Sequence, residues 1–277
     1  MAVECAKLLN GEIISADSRQ VYTGLDIGTG KITTDEMQGI PHHLLSVANP
    51  NDDFAVTDYK ILAEAAITDV VSRNKLPILC GGTGQYINTV IDNLIVPDVP
   101  ANAELREKLS EFSTHELYKK LLAVDPERAE TIDSKNPRRL IRALEIAEAL
   151  GTVPPKTYGE KKYEPIMIGV QISTEELRMR IHTRLLVRIE MGMIDEAKKL
   201  HETGVSYERM ESLGLEYRFL ARHLEGSLTK EEMIAGLLQA IIDYSKRQMT
   251  WFRKDTRIKW LTLPEILPYV QALFESR

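Results

Sequence analysis

Asp17 and Ser18 close the apolar run Ile13-Ile14-Ser15-Ala16. A carboxylate at the end of a short buried strand can take a proton from a nucleophile, or it can cap the turn that follows. Gly81-Gly82-Thr83-Gly84 follows a second apolar run, Leu76-Pro77-Ile78-Leu79-Cys80, and leads into Gln85-Tyr86-Ile87-Asn88. Strand, glycines and helix in that order turn backbone N–H groups and a helix dipole toward an anion, with a threonine hydroxyl beside them. Glycines also serve as packing devices, and no Gly-Lys-Ser/Thr follows, so this turn is not a P-loop.

Cations are grouped in three places. Arg180, Arg184 and Arg188 recur every four residues and share one helix face. They either lean over the glycine turn or form a solvated surface. Arg138, Arg139 and Arg142 follow Lys135-Asn136-Pro137, the start of a helix, which is the unfavourable end for positive charge. That placement suits a polyanionic partner; a solvated face with Glu145 as counter-charge is the alternative. Lys246-Arg247-Gln248-Met249-Thr250-Trp251-Phe252-Arg253-Lys254 interleaves cations with aromatics, which suits stacking and phosphate neutralisation on RNA, or a core Trp flanked by snorkelling cations. His42 and His43 point to opposite faces of an extended chain, so they cannot chelate one ion together, and packing or hydrogen bonding accounts for them.

The elements that must position these groups follow from periodicity and punctuation. A helix from Ala2 stops at Asn10-Gly11, a strand runs from Glu12, and Gly24 to Lys31 is a glycine-punctuated turn. Phe54, Tyr59, Leu62, Ala66 and Val70 space a sheet-covering helix. Between Pro97 and Pro155 no strand pattern occurs, and helices are predicted at 103–112, 114–124 and 137–150, the last with Asn136 as N-cap and Gly151 as stop. A strand returns at 166–172, with capping boxes at Ser173/Glu176 and Thr229/Glu232 opening two long helices. Met233, Leu237, Ile241, Tyr244 and Gln248 share one side of the second, and Lys259-Trp260-Leu261 closes with a strand and a terminal helix. The reading is an α/β protein with a core at 1–96 and 160–277 and a helical insertion at 97–159.

The 277 residues carry a net charge of -6, which argues against wholesale nucleic-acid binding but leaves 35 basic residues for a local groove. Two cysteines, Cys5 and Cys80, exclude a disulfide framework and a multi-sulfur zinc site. No apolar run reaches the roughly 18 residues of a membrane span and no secretory leader opens the chain, so a cytoplasmic protein is expected.

In order along the chain, these segments resemble the bacterial tRNA dimethylallyltransferase (tRNA isopentenyltransferase) family. The resemblance rests on residues 11–22, Asp26-Ile27-Gly28-Thr29, Pro41-His42-His43-Leu44, residues 81–86, residues 136–145 and Lys246 to Arg253. It implies a P-loop-type parallel core with an all-helical insertion. The implied reaction transfers a dimethylallyl group from its diphosphate to the exocyclic N6 amine of the adenosine 3′ of the anticodon. It further implies Asp17 as general base, with Gly82, Thr83, Gly84 and Arg184 on the diphosphate and Mg2+ bridging the diphosphate oxygens. Ser18, Arg19 and Gln20 would meet the flipped base. Arg106, Arg138, Arg139 and Arg142 would grip the anticodon stem, and Lys246, Arg247, Gln248, Trp251 and Arg253 would line the RNA path. The partners expected are tRNA and dimethylallyl diphosphate, with no membrane, and a monomer is expected.

Two departures from the family pattern stand out. The family's Gly-x-x-x-x-Gly-Lys-Thr/Ser loop does not occur in these residues, and a strand carrying it is expected to precede Met1. Where the family has Gly-Tyr and a basic residue, the chain has Gly214-Leu215-Glu216-Tyr217-Arg218, with Tyr217 and Arg218 as substitutes. The competing readings are a non-catalytic RNA-binding remnant, an enzyme prenylating free adenine nucleotides, and a nucleotide kinase, weakened by the missing lysine.

Overall fold

A computed structural model describes residues 1–275, in two compact units: 1–92 with the described residues from 161 onward, and 93–160. In the first unit α1 (Ala2–Leu8) ends where Asn10 takes a left-handed φ of 51°, and the chain reverses into β1 (Gly11–Ser15), buried along its whole length. The short α2 (Thr34–Met37) precedes β2 (His42–His43), and α3 (Val56–Ser72) leads to β3 (Leu76–Cys80) and then α4 (Gly84–Ile91). The strands form a parallel sheet in the order β2-β1-β3, with Ile13 opposite His42 on one side and Ile78 on the other. The buried stripe of α3 is Tyr59, Ala63, Ile67 and Val70. The expected Leu62 is 37 % exposed, because a 3.6-residue period from Tyr59 passes through 63 and leaves 62 turned toward water.

The same unit resumes with β6 (Ile168–Val170), α9 (Thr174–Glu190), α10 (Met193–Glu202), α11 (Tyr207–Ser212), α12 (Leu215–Leu224), α13 (Lys230–Phe252), β7 (Lys259–Leu261) and α14 (Leu263–Glu275). β6 and β7 pair in parallel. The helices enclose a core of Leu185, Met193, Met210, Tyr217, Leu220, Met233 and Leu237, which Val21 and Leu25 enter from the segment after β1. Along α13 the apolar face leaves this core: Met233 and Leu237 are fully buried, whereas Tyr244 is exposed. Among the described residues no helix is long and apolar enough to cross a membrane.

The second unit holds β4 (Leu94–Ile95), α5 (Ala103–Ser110), α6 (Thr114–Val124), α7 (Pro126–Thr131), α8 (Pro137–Leu150) and β5 (Thr157–Tyr158). It is helical except where β4 and β5, near its two chain ends, pair antiparallel, so the all-helical expectation is corrected there. Two-residue strands carry too little alternation to be read from sequence. Leu109, Leu117, Leu121, Leu140 and Leu144 form its core. Asn102, Ser113, Asp125 and Asn136 each accept an N-terminal backbone N–H of the helix that follows. α7 was not anticipated, although Asp125 before Pro126 is its signal: a side-chain cap and a proline at N1.

Candidate active site

Asp17 stands where β1 ends, and its carboxylate does two things at once. Oδ1 accepts the backbone N–H groups of Arg19 at 2.8 Å and Gln20 at 3.2 Å, which folds the turn, while Oδ2 takes no hydrogen bond among the described residues. The capping and base readings are therefore compatible, each using a different oxygen. Asp17, Ser18, Arg19 and Gln20 are all half-buried. The Arg19 side chain lies along Gly214, where a Cβ would stand 3.1 Å from its Nε.

The glycine turn is locked to this strand end. Ala16 N–H donates to Cys80 O at 2.8 Å, Thr83 N–H to Ala16 O at 3.1 Å, and Ser18 N–H to Thr83 Oγ1 at 3.0 Å. A Cβ at Gly81 would run into the Ala16 carbonyl, so the close approach requires glycine there. Because the Thr83 N–H is already spent on Ala16, Thr83 can offer an anion its hydroxyl, alongside the Gly82 and Gly84 amides, which make no such bond among the described residues.

α13 delivers two further side chains to the turn. Gln248 Nε2 donates to Gly82 O at 3.0 Å, and a Cβ on Gly84 would meet the Trp251 indole. Both were expected along an RNA path; the structure puts them on the turn itself. The stripe that buries Met233 and Leu237 continues at helical spacing through Tyr244 and Gln248 to Trp251, so one amphipathic face serves core and site in succession. Lys246, Arg247 and Arg253 are exposed, with Lys246 2.8 Å from Asp243 and the Arg247 guanidinium 5.7 Å from the Tyr244 ring centre.

The arginines of α9 do not form one functional face. Arg180 pairs with Glu176 on the surface at 2.6 Å. Arg188 turns inward, donating from Nη1 to Gly28 O at 2.9 Å and lying 3.8 Å from Glu216. Arg184 approaches the same loop: a Cβ on Gly30 would be 3.3 Å from its Nη2, and it has no ion-pair partner among the described residues. Gln20 Nε2 reaches Thr29 O and Gly30 O at 3.4 Å each, which joins the Asp17 turn to this loop. Burial raises the Glu216 carboxyl above its ordinary range and Asp17 adds to the rise, while Arg188 opposes it.

Tyr217 does not substitute for an RNA-facing tyrosine. It is 1 % exposed and its hydroxyl donates to Glu196 Oε1 at 2.6 Å. Glu196 was not singled out from the sequence, and no local signal would have found it, since its loop partners lie some 170 residues away in the chain. His42 bonds Ile40 O, and His43 bonds the buried Glu12 at 2.8 Å. Among the described residues no group of three or more His, Cys, Asp or Glu side chains is gathered for a metal.

In the second unit, Arg106 and Arg142 converge on Glu145, whose side chain is 1 % exposed. Arg106 Nε donates to Glu145 Oε1 at 2.9 Å, Arg142 bonds Oε2, and Asn102 N–H adds a third donor at 2.6 Å. The hydrogen bonds from Arg106, Asn102 and Arg142 depress the Glu145 carboxyl against the opposing effect of burial. Arg138 and Arg139 are exposed, with Asp133 3.7 Å from Arg139.

The family model described as IPP transferase matches residues 20–255. The chain is 43 % identical over 265 residues to tRNA dimethylallyltransferase 1 of Geotalea uraniireducens, covering 94 % of this chain and 87 % of that protein. It is similar in structure to the full-length tRNA isopentenylpyrophosphate transferase of Bacillus halodurans, with a TM-score of 0.74 at 37 % identity over 99 % of this chain and 90 % of the other. The tRNA delta(2)-isopentenylpyrophosphate transferase of Staphylococcus epidermidis gives 0.72 at 32 % identity over 100 % and 94 %.

Proposed function

The chain belongs to the IPP transferase family, and on that premise we propose that it transfers a dimethylallyl group from dimethylallyl diphosphate to the N6 amine of the adenosine 3′ of the anticodon in tRNA. The observation that carries the assignment of roles is the Ser18 N–H to Thr83 Oγ1 bond beside the turn that Asp17 Oδ1 caps, with Asp17 Oδ2 uncommitted among the described residues.

In the proposed reaction the N6–C1 bond forms as the C1–O bond to diphosphate breaks, and the amine proton passes to Asp17 Oδ2. A positioned base contributes about 10²–10⁴-fold. The leaving diphosphate gathers negative charge, which the Thr83 hydroxyl, the amides of Gly82 and Gly84 and the Arg184 guanidinium are suited to offset. Flipping the base out of its stack costs a few kcal/mol, and Ser18, Arg19 and Gln20 supply the polar surface to receive it. Mg2+ commonly keeps several waters and binds through one or two carboxylates plus substrate phosphates; with Asp17 reserved as base, the Ser18 and Thr83 hydroxyls would be the protein oxygens beside an ion carried mainly by the diphosphate. Bound there, it would neutralise leaving-group charge.

The exposed cations of Lys246 to Arg253 suit the phosphates of tRNA, and within the second unit the exposed Arg138 and Arg139 suit them by charge as well. A tRNA acceptor would place the proposed reaction in the cytoplasm. The deciding experiment supplies labelled dimethylallyl diphosphate with tRNA and AMP in competition. Label on the adenosine beside the anticodon is expected, and label on AMP, or tRNA binding with no transfer, would reject the proposal.

A further inference from the structure

The loop from Asp26 to Gly30 is gripped from both sides, and the two grips differ in kind. On one side three successive backbone N–H groups converge on the Glu196 carboxylate: Asp26 at 3.0 Å and Ile27 at 2.7 Å on Oε2, Gly28 at 2.9 Å on Oε1. Successive amides arranged in this way make a concavity that binds anions. Here an internal carboxylate fills it, and the buried Tyr217 hydroxyl on Oε1 completes the shell. Glu196 thus has both oxygens committed and nothing to offer a substrate.

The other face of the loop carries the groups that matter to the reaction. Its carbonyls accept Arg188 at Gly28 and Gln20 at Thr29 and Gly30. Arg188 is further tied through Nε to Arg184 O at 3.3 Å and by Glu216. Two neighbouring guanidiniums repel, and Arg188 is held by the loop carbonyl and Glu216, whereas Arg184 lies beside Gly30 with no ion pair among the described residues and only the longer-range field of Glu36 opposing its charge. Gln20 in turn belongs to the turn that Asp17 caps. A rigid loop therefore sets the spacing between Arg184 and the Asp17 turn.

We propose that Glu196 is a positioning residue for the transfer reaction: by filling the amide concavity of residues 26–28 it fixes the loop that places Arg184 for the diphosphate. The inference rests on the proposed function.

The test uses the full chain with Glu196→Gln, whose amide nitrogen would face the loop N–H groups. The KM for dimethylallyl diphosphate is expected to rise about tenfold or more with the KM for tRNA nearly unchanged, and amide hydrogen exchange at Asp26 to Gly28 is expected to quicken relative to the α13 core. An unchanged diphosphate KM, or equal rises for both substrates, would overturn the proposal. Should Glu196→Gln fail to fold, Arg188→Lys decides. It removes the Nη1 bond to Gly28 O with Glu196 in place, so the same selective rise supports the loop's role and its absence refutes it. A wild-type chain that transfers no label would count against the proposed function instead, and the exchange measurement would still judge whether Glu196 holds the loop.

Discussion

Ser18 donates its backbone N–H to Thr83 Oγ1 at 3.0 Å, tying the end of β1 to the glycine turn after β3 across 65 residues of sequence. The bond draws the side chain proposed as base and the hydroxyl proposed for the leaving group into one rigid unit at the carboxyl ends of neighbouring parallel strands. Open α/β sheets bind their ligands at that edge.

Asp17→Asn separates the two jobs of this side chain. The amide oxygen can still accept Arg19 and Gln20 N–H, so the turn and the tRNA affinity should hold. Turnover should fall about 100-fold or more. Single-turnover kinetics with a parallel tRNA binding titration would show this, and a full-rate Asp17→Asn would remove Asp17 as the base.

The two ends of the glycine turn should respond differently to alanine. At Gly81 the new methyl meets the Ala16 backbone, which cannot yield without breaking the β1–β3 junction, so a large loss of thermal stability is expected. At Gly84 it meets the Trp251 indole, which is 41 % exposed and free to swing outward. Gly84→Ala should therefore fold normally, with shifted tryptophan fluorescence and slowed transfer.

For Arg106, Arg138, Arg139 and Arg142 of the insertion, structure and RNA contact should be separable. Arg142→Ala or Arg106→Ala strips a donor from the buried Glu145 and should cost about 1–3 kcal/mol of stability. Arg138→Ala and Arg139→Ala should leave melting unchanged, weaken tRNA binding, and each lower the log–log salt slope by about one. Urea melts and salt-dependent titrations would distinguish the pairs.

Glu12, 1 % exposed, is the anionic centre of the opposite sheet end, contacted by Arg73 at 2.7 Å, Lys75 at 2.7 Å and His43 at 2.8 Å. The Arg73 hydrogen bond, helped by Lys75 and His43, holds its carboxyl well below the usual range despite burial. A depressed carboxylate contributes stability above its unfolded value, about 4.3, and that contribution is lost as pH falls toward the folded value. Wild-type stability should thus decline below about pH 4, and Glu12→Gln should flatten that part of the profile while costing roughly 3–5 kcal/mol near neutrality.

Much of the fold was legible along the chain because its signals are local. Asn136-Pro137, Ser173 with Glu176 and Thr229 with Glu232 cap helices through bonds spanning a few residues, and the strand ends at Asp17 and Cys80 are marked by the polar and glycine residues that follow. The residue types proposed to act, Asp17, Thr83 and Arg184, were legible on the same grounds and on the family resemblance. Tertiary structure alone decided which distant groups meet. Nothing near Gln248 says that its amide bonds Gly82 O, 166 residues earlier, or that Glu196 closes on the Asp26 loop. Equally, Arg106 and Arg142 look like their exposed neighbours until packing buries Glu145 between them. Capping and periodicity depend on the backbone within one or two turns, whereas these contacts depend on how whole helices pack, and many sequences with the same local signals would pair different side chains.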